Sequence, residues 1–465
     1  MNSSPQLIYP TVDLFLYDLV DGLGQSNEQI QENRRRFWQR IYQDGLSDQK
    51  LAELQDAEIP FSSYIELLGA EKIERFKYPL DGYYYPVKLG DTYALQIDCS
   101  GKENEPDWEQ LSLEEKLAQI KEIILEHTHK IPGKMGENWL VWGKLATDNQ
   151  DPKATAKDCY NALQLLPHAK WQRNYQGQGI FKRATCFEIG QIDIIPDGLN
   201  RNQYILICLF AYDTTDAELK DIIGRLYLNL LPLFHYRNKI LWSYEQSRQL
   251  KRTLKDFSRV TQKLVDSLPD RLHASPLNLD ELQQDLAHAL SISHYYETSL
   301  GYLQEQASNL EINTQNYTKR VEAIAQLDPN SDLCFLKAFG EMATEKFLSH
   351  IHSDYQTLKA GLNPLETCIK TIAGIIEIEK TKNERTLNQT VAIASVGIST
   401  ASLAASALTE QAEGIVKSIL PVPANQPTPA LNHWANFSLT FGLSVLIGIV
   451  SAVITWRILD IGRTR

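Results

Sequence analysis

The residues whose types and spacing could do chemistry lie near the C-terminus, and they are hydroxyls. Ser395, Ser399, Ser402, Ser406 and Thr409 follow steps of four and three, and Asn388 extends the line backwards. Such steps place side chains on one face of a helix. A row of hydroxyls along a central water-filled path could replace part of an ion's hydration. Glu410 and Glu413, at the end of the row, would raise the local cation concentration at a pore mouth. The same small polar face could instead be a packing seam, for which Ser444, Gly448 and Ser451 offer a match on a second helix.

Those side chains need helices to position them, and two stretches have the length of membrane spans. Residues 390–410 carry no charge before Glu410, and residues 435–459 form an apolar run interrupted only by Arg457. Trp434 and Trp456 stand at the ends of the second run, roughly 33 Å apart on a helix, as interfacial aromatic belts require. Lys380, Lys382 and Arg385 precede the first run, while Arg463 and Arg465 join Arg457 at the end of the second. The positive-inside rule then puts both termini in the cytoplasm and the loop 411–434 outside. The expectation is an integral protein of the plasma or inner membrane, with membrane lipid as a partner.

Upstream, Leu365, Ile369, Ile372 and Ile376 alternate steps of four and three, the seam of a coiled coil. No turn signal follows before residue 390, so one helix from Pro364 to about Glu410 is expected, roughly 70 Å long. Helical apolar spacing also dominates from His235 onwards. Leu250, Leu254, Phe257, Val260 and Leu264 form a stripe that Pro269 should end. Leu279, Leu282, Leu286 and Leu290 form a second, and a third helix is expected over Leu333–Lys359. Residues 236–389 thus read as a long helical, coiled-coil-like stalk.

Residues 1–235 read differently, as an α+β or α/β head in the cytoplasm. Strand-like runs rich in β-branched and aromatic residues occur at Leu7–Leu19, Asp81–Ile97, Trp139–Trp142, Phe187–Ile195 and Tyr204–Tyr212. The nearly all-apolar YILICLFAY suits a central strand buried on both faces. Helical spacing lies between them, as at Leu111–Leu125, where Ser112 and Glu115 can form a capping box.

The 465 residues carry a net charge of -12, and the acidic excess sits in the head. That argues against nucleic acid as a partner, because phosphate binding needs a basic face. The six cysteines are scattered without a CxxC pair, so reduced thiols are expected. Catalytic patterns are missing: there is no GxSxG, HExxH or P-loop, and Gly22-Leu23-Gly24 lacks the third glycine of a dinucleotide loop. His127/His129 and His350/His352 are HxH pairs whose side chains point apart on a helix. The chain is expected not to be an enzyme. No cofactor is identified, and a divalent or monovalent cation is the expected permeant or regulatory ion.

This order of parts resembles the CorA-like family of metal-ion transporters and channels: an N-terminal α/β domain, long stalk helices, a last helix running into the first of two spans, and a basic tail. The resemblance is clearest from Pro364 to Arg465. It implies a homo-oligomer, a pentamer in that family, with the first span lining the pore. The family's Gly-Met-Asn tripeptide is absent, and the corresponding stretch reads SALTEQAEG. The expected function is an oligomeric channel or ion transporter gated by its cytoplasmic domain. The alternative is a membrane-anchored sensor or effector, in a stress or defence response, whose spans only tether it or perturb the bilayer. A cytoplasmic ligand or protein partner fits either.

Overall fold

The computed structural model describes residues 6–383, apart from 23–24, 57–62, 103–104, 166–169, 200–203, 274–277 and scattered positions between 191 and 197. In chain order the elements are β1 (Leu7–Leu19), α1 (Asn27–Tyr42), α2 (Asp48–Asp56), β2 (Ile65–Glu66), β3 (Glu74–Phe76), β4 (Asp81–Leu89) and β5 (Thr92–Ser100). Next come α3 (Pro106–Glu109), α4 (Leu113–His127), β6 (Gly136–Leu145), α5 (Pro152–Leu163), α6 (Trp171–Asn174), β7 (Tyr175–Phe181) and β8 (Ala184–Gly190). The small strands β9 (Ile194–Ile195) and β10 (Gly198–Leu199) precede β11 (Tyr204–Phe210). Helices follow: α7 (Asp216–His273), α8 (Leu279–Gln326), α9 (Cys334–Met342), α10 (Ser349–Ala360) and α11 (Leu362–Asn383).

The described chain divides into two compact units. The first comprises the chain up to Asp256 together with Glu297–Ala360. Its centre is a nine-stranded sheet in the order β2-β4-β5-β1-β6-β11-β8-β7, with β3 also paired to β4. Only β6 and β11 run parallel; the other pairings are antiparallel.

The two faces of this sheet differ because side chains alternate along each strand and paired residues share a face. On one face Leu14 pairs with Ile97 and with Trp139, Trp139 with Ile205, and Ile205 with Ile189. This apolar face forms one core with Leu117, Ile120 and Ile124 of α4 and with Cys159 and Leu163 of α5. Helix α4 begins with the expected capping box: the Ser112 N–H donates to Glu115 at 2.8 Å and the Glu115 N–H to the Ser112 hydroxyl at 3.3 Å.

The opposite face lies under α7. Phe234 of α7 meets the rings of Phe15 and Tyr204 edge-on, at 5.1 and 5.6 Å, and the Tyr17 hydroxyl donates to the Leu231 carbonyl at 2.7 Å. Here the register aligns Asp98 with Asp13, Asp13 with Leu140, Leu140 with Leu206, and Leu206 with Glu188. Carboxylates therefore stand in a covered sheet face, where they need partners.

The sheet edge at β7 is closed by the turn between α8 and α9. Ile180 and Asp332 exchange backbone hydrogen bonds of 3.0 and 2.7 Å. Gly177 and Gly179 allow this approach, since a Cβ on Gly179 would lie 2.0 Å from the Asp332 carbonyl oxygen.

The second unit comprises Phe257–Tyr296 and the chain from Gly361. Leu365, Ile372 and Ile376 of α11 are buried in a cluster with Leu264, Leu268, Leu282, Leu286 and Ile292, and Ile369 packs against it partly buried. The expected stop at Pro269 does not occur: α7 continues to His273. A proline late in a helix forfeits one hydrogen bond, and here Leu268 and Leu272 go on packing in the same cluster on either side of it.

The expectation of two transmembrane helices is corrected. Among the described residues no helix is long and apolar enough to cross a membrane. Charged residues recur along the long helices, as Glu366, Lys370, Glu377 and Glu379 do on α11, which is the pattern of amphipathic helices. The membrane localisation and the channel keyed to it are set aside with the spans. The stretches 390–410 and 435–459 themselves lie outside the described residues.

Candidate functional site

The most unusual chemistry of the first unit is a pair of acids on adjacent strands. Asp13 of β1 and Asp98 of β5 are directly opposite in the antiparallel register. Gln96, two residues before Asp98 and so on the same face, donates to Asp13 Oδ1 at 2.8 Å. From α7, the Tyr227 hydroxyl reaches Asp13 Oδ2 at 2.8 Å and Asp98 Oδ2 at 3.0 Å. The Trp142 indole N–H of β6 donates to that hydroxyl at 2.8 Å. Three strands and a helix thus converge on one hydrogen-bonded cluster.

Both carboxyls sit above the ordinary range. Burial is the main cause for Asp13, with the charge of Asp98 adding to it. Burial likewise raises Asp98, to about 6, against the hydrogen bond from Tyr227 and the charge of Arg75, which lower it. The two carboxyls are directly opposite and both bond the Tyr227 hydroxyl, and of the two Asp13 is the one raised by the other's charge. Ionising both would place two like charges side by side in a poorly solvated layer, so a shared proton is the expected resting state.

Asp13 is wholly buried, whereas Asp98 is 9% exposed. That small opening matters, because Asp98 lines a pocket of about 220 Å³ together with Arg75, Lys77, Asp81, Tyr83 and Ser100. The register explains the gathering: Arg75 of β3 is opposite Tyr83 of β4, Tyr83 is opposite Asp98, and Asp81 is opposite Ser100.

Two further buried titratable groups lie in this unit, Glu188 on β8 and His235 on α7. Burial raises Glu188 to about 7, although the nearby Arg237 pulls it down. The Arg237 guanidinium lies over the rings of Tyr204 and Phe339, at 4.1 and 4.3 Å. Burial lowers His235 to about 3, and the like charge of Lys239 adds to this. Lys239 is itself bonded to Asp91 at 2.6 Å. By contrast, the fully buried Arg40–Asp18 pair, 2.5 Å apart, serves the fold: Arg40 also donates to the carbonyls of Ile131 and Pro132, tying α1 to the loop before β6.

The HxH histidines are divided between local contacts. His127 meets the Tyr84 hydroxyl at 2.9 Å and stacks on Phe76, and His350 meets the Tyr244 hydroxyl at 3.0 Å. Among the described residues no group of three or more His, Cys, Asp or Glu side chains could hold a metal. No known family model, curated protein or solved structure matches the chain, so nothing identifies a CorA-like family.

The structure brings together Leu365, Ile369, Ile372 and Ile376. Asn388, Ser395, Ser399, Ser402, Ser406, Thr409, Glu410, Glu413, Trp434, Trp456 and Arg457 lie outside the described residues. Sequence reasoning missed Asp13, Asp98, Tyr227 and Arg75. A signal existed for Asp98: in TYALQIDCS the residues Thr92, Gln96, Asp98 and Ser100 fall on one face and Tyr93, Leu95, Ile97 and Cys99 on the other.

Proposed function

We propose that the chain is a sensor or effector whose first unit responds to protons and to a small ligand through Asp13, Asp98 and Tyr227. The observation that carries this reading is a buried acid pair joined by the Tyr227 hydroxyl, one member of which opens on a pocket. Ionisation of Asp98, which leaves one proton on the pair, changes what Tyr227 must donate to, and Tyr227 belongs to the helix that covers the sheet. A titration at the pair is thereby converted into a change in how α7 sits on the strands.

An acid–base enzyme would also use two carboxyls with separated titrations. That reading is the weaker one, because Asp13 is shut away from the pocket and both its oxygens are engaged by Gln96 and Tyr227.

The test uses the full chain labelled with 5-fluorotryptophan, with the Trp142 resonance assigned through Trp142→Phe. The resonance should shift with a midpoint near 6, the value of Asp98, and should stay fixed in Asp98→Asn. A Trp142 signal indifferent to pH between mildly acidic and neutral conditions would overturn the proposal.

A further inference from the structure

We propose that the pocket beside Asp98 binds a small zwitterion of the α-amino acid class. This rests on the sensing role proposed above and names its ligand.

The pocket carries both signs of charge in an ordered way. Arg75, Tyr83 and Asp98 form one row across β3, β4 and β5, and Asp81 and Ser100 form the next. Strands are spaced about 4.8 Å apart, so the backbones bearing Arg75 and Asp98 are roughly 10 Å apart. Lys77 adds a second cation to the β3 side of the lining. Among the described residues, Arg75, Lys77 and Asp81 have no ion-pair partner. Charges of both signs without a direct ion pair therefore face one small space, across which the charge of Arg75 acts on Asp98.

Single-charge ligands suit this lining poorly. An anion would meet Asp81 and Asp98, and a polyamine would meet Arg75 and Lys77. A zwitterion satisfies both ends. Its carboxylate takes the fork of Arg75, with the two parallel bonds a guanidinium offers. Its ammonium sits against Asp98 and Asp81, over the ring of Tyr83, which favours a cation at its face. At about 220 Å³ the pocket falls below the roughly 300–1,000 Å³ common for drug-sized ligands, which suits a molecule the size of an amino acid.

The ammonium needs Asp98 ionised, so protons compete with the ligand. The groups facing Asp98 are Gln96 and Ser100 on its own strand, Asp13 on β1, Tyr83 and Asp81 on β4, Arg75 and Lys77 on the β3 side, and Tyr227 on α7. Of these, Asp13 keeps the shared proton while Asp98 ionises, and binding should weaken as pH falls through about 6.

The test is calorimetric titration of the full chain at neutral pH with the standard α-amino acids, and with propionate, ethylammonium and putrescine as single-sign probes. At least one amino acid should bind, with Arg75→Gln and Asp98→Asn each weakening it at least about tenfold. Asp280→Asn, an exposed change in the second unit, should leave affinity unaltered. Circular dichroism establishes that each variant folds. The proposal fails if no amino acid binds up to about 10 mM, a free energy near that of non-specific contact. It fails equally if propionate or putrescine binds as tightly, or if Arg75→Gln binds like wild type. Failure here with the Trp142 response to pH intact overturns the zwitterion alone; loss of both overturns the sensing role.

Discussion

The Tyr227 hydroxyl stands 2.8 Å from Asp13 Oδ2, joining residues 214 positions apart in the chain. This bond fastens α7 to the middle of the sheet. With Trp142 donating to the same oxygen at 2.8 Å, the hydroxyl is both donor and acceptor.

Tyr227→Phe removes that hydroxyl while keeping the ring. It leaves an acid and an indole N–H without a partner in a covered layer, and each buried orphan costs about 1–3 kcal/mol. Urea unfolding of the variant should show a loss in that range, and the Trp142 resonance should lose its pH response.

Asp98 should make its presence known in the pH dependence of stability. Its folded-state value is raised from 3.8 to about 6, so between these the folded chain holds a proton that the unfolded chain has released. Stability from this group is present at low pH and falls as pH rises through about 6. Glu188, raised to about 7, acts in the same sense. His235, lowered from 6.5 to about 3, acts oppositely: the unfolded chain takes up its proton first, so stability falls as pH drops. Because these slopes oppose, the informative quantity is the difference from Asp98→Asn. The variant should be more stable at neutral pH by roughly 2–3 kcal/mol, and the gap should close near the unfolded carboxylate value.

Gly179→Ala should open the β7 edge. Its Cβ would fall 2.0 Å from the Asp332 carbonyl oxygen, so backbone must move and the exchange with Ile180 must break. A loss of about 2 kcal/mol or more is expected, with lost hydrogen-exchange protection at the Ile180 amide. Gly224 of α7 has nothing within 4 Å of its added Cβ, so Gly224→Ala should stabilise the helix by up to about 1 kcal/mol.

In the second unit, Ile372→Asp buries an unpaired charge at a fully buried position and should cost several kcal/mol. Ile378, 58% exposed on the same helix, should accept aspartate with a change within about 0.5 kcal/mol. Equal effects at the two positions in thermal melts would show that α11 does not pack through Ile372.

Much of the first unit was legible because its signals are local. Leu7–Leu19 and Tyr204–Phe210 show their strands through β-branched and aromatic runs, and Ser112 with Glu115 announces α4 three residues apart. The seam at Leu365, Ile369, Ile372 and Ile376 was legible through spacing alone. Pro269 misled because packing on either side outweighed a local rule. The acid pair was hidden for a different reason. Asp13 and Asp98 become neighbours only through strand register, and Tyr227 reaches them from a distant helix. A hydroxyl stripe drew attention to the C-terminus, while the buried carboxyls stood among apolar residues that read simply as strands.

The central claim is that Asp13 and Asp98 share a proton beneath α7, and carboxyl-carbon NMR of the full chain labelled at the aspartate side chains tests it most directly. Two aspartates should titrate above the ordinary carboxylate range, one of them near 6, with both signatures abolished by Asp13→Asn. If instead every resolved aspartate titrates near its ordinary value of about 3.9, the shared proton and the sensing role built on it are contradicted.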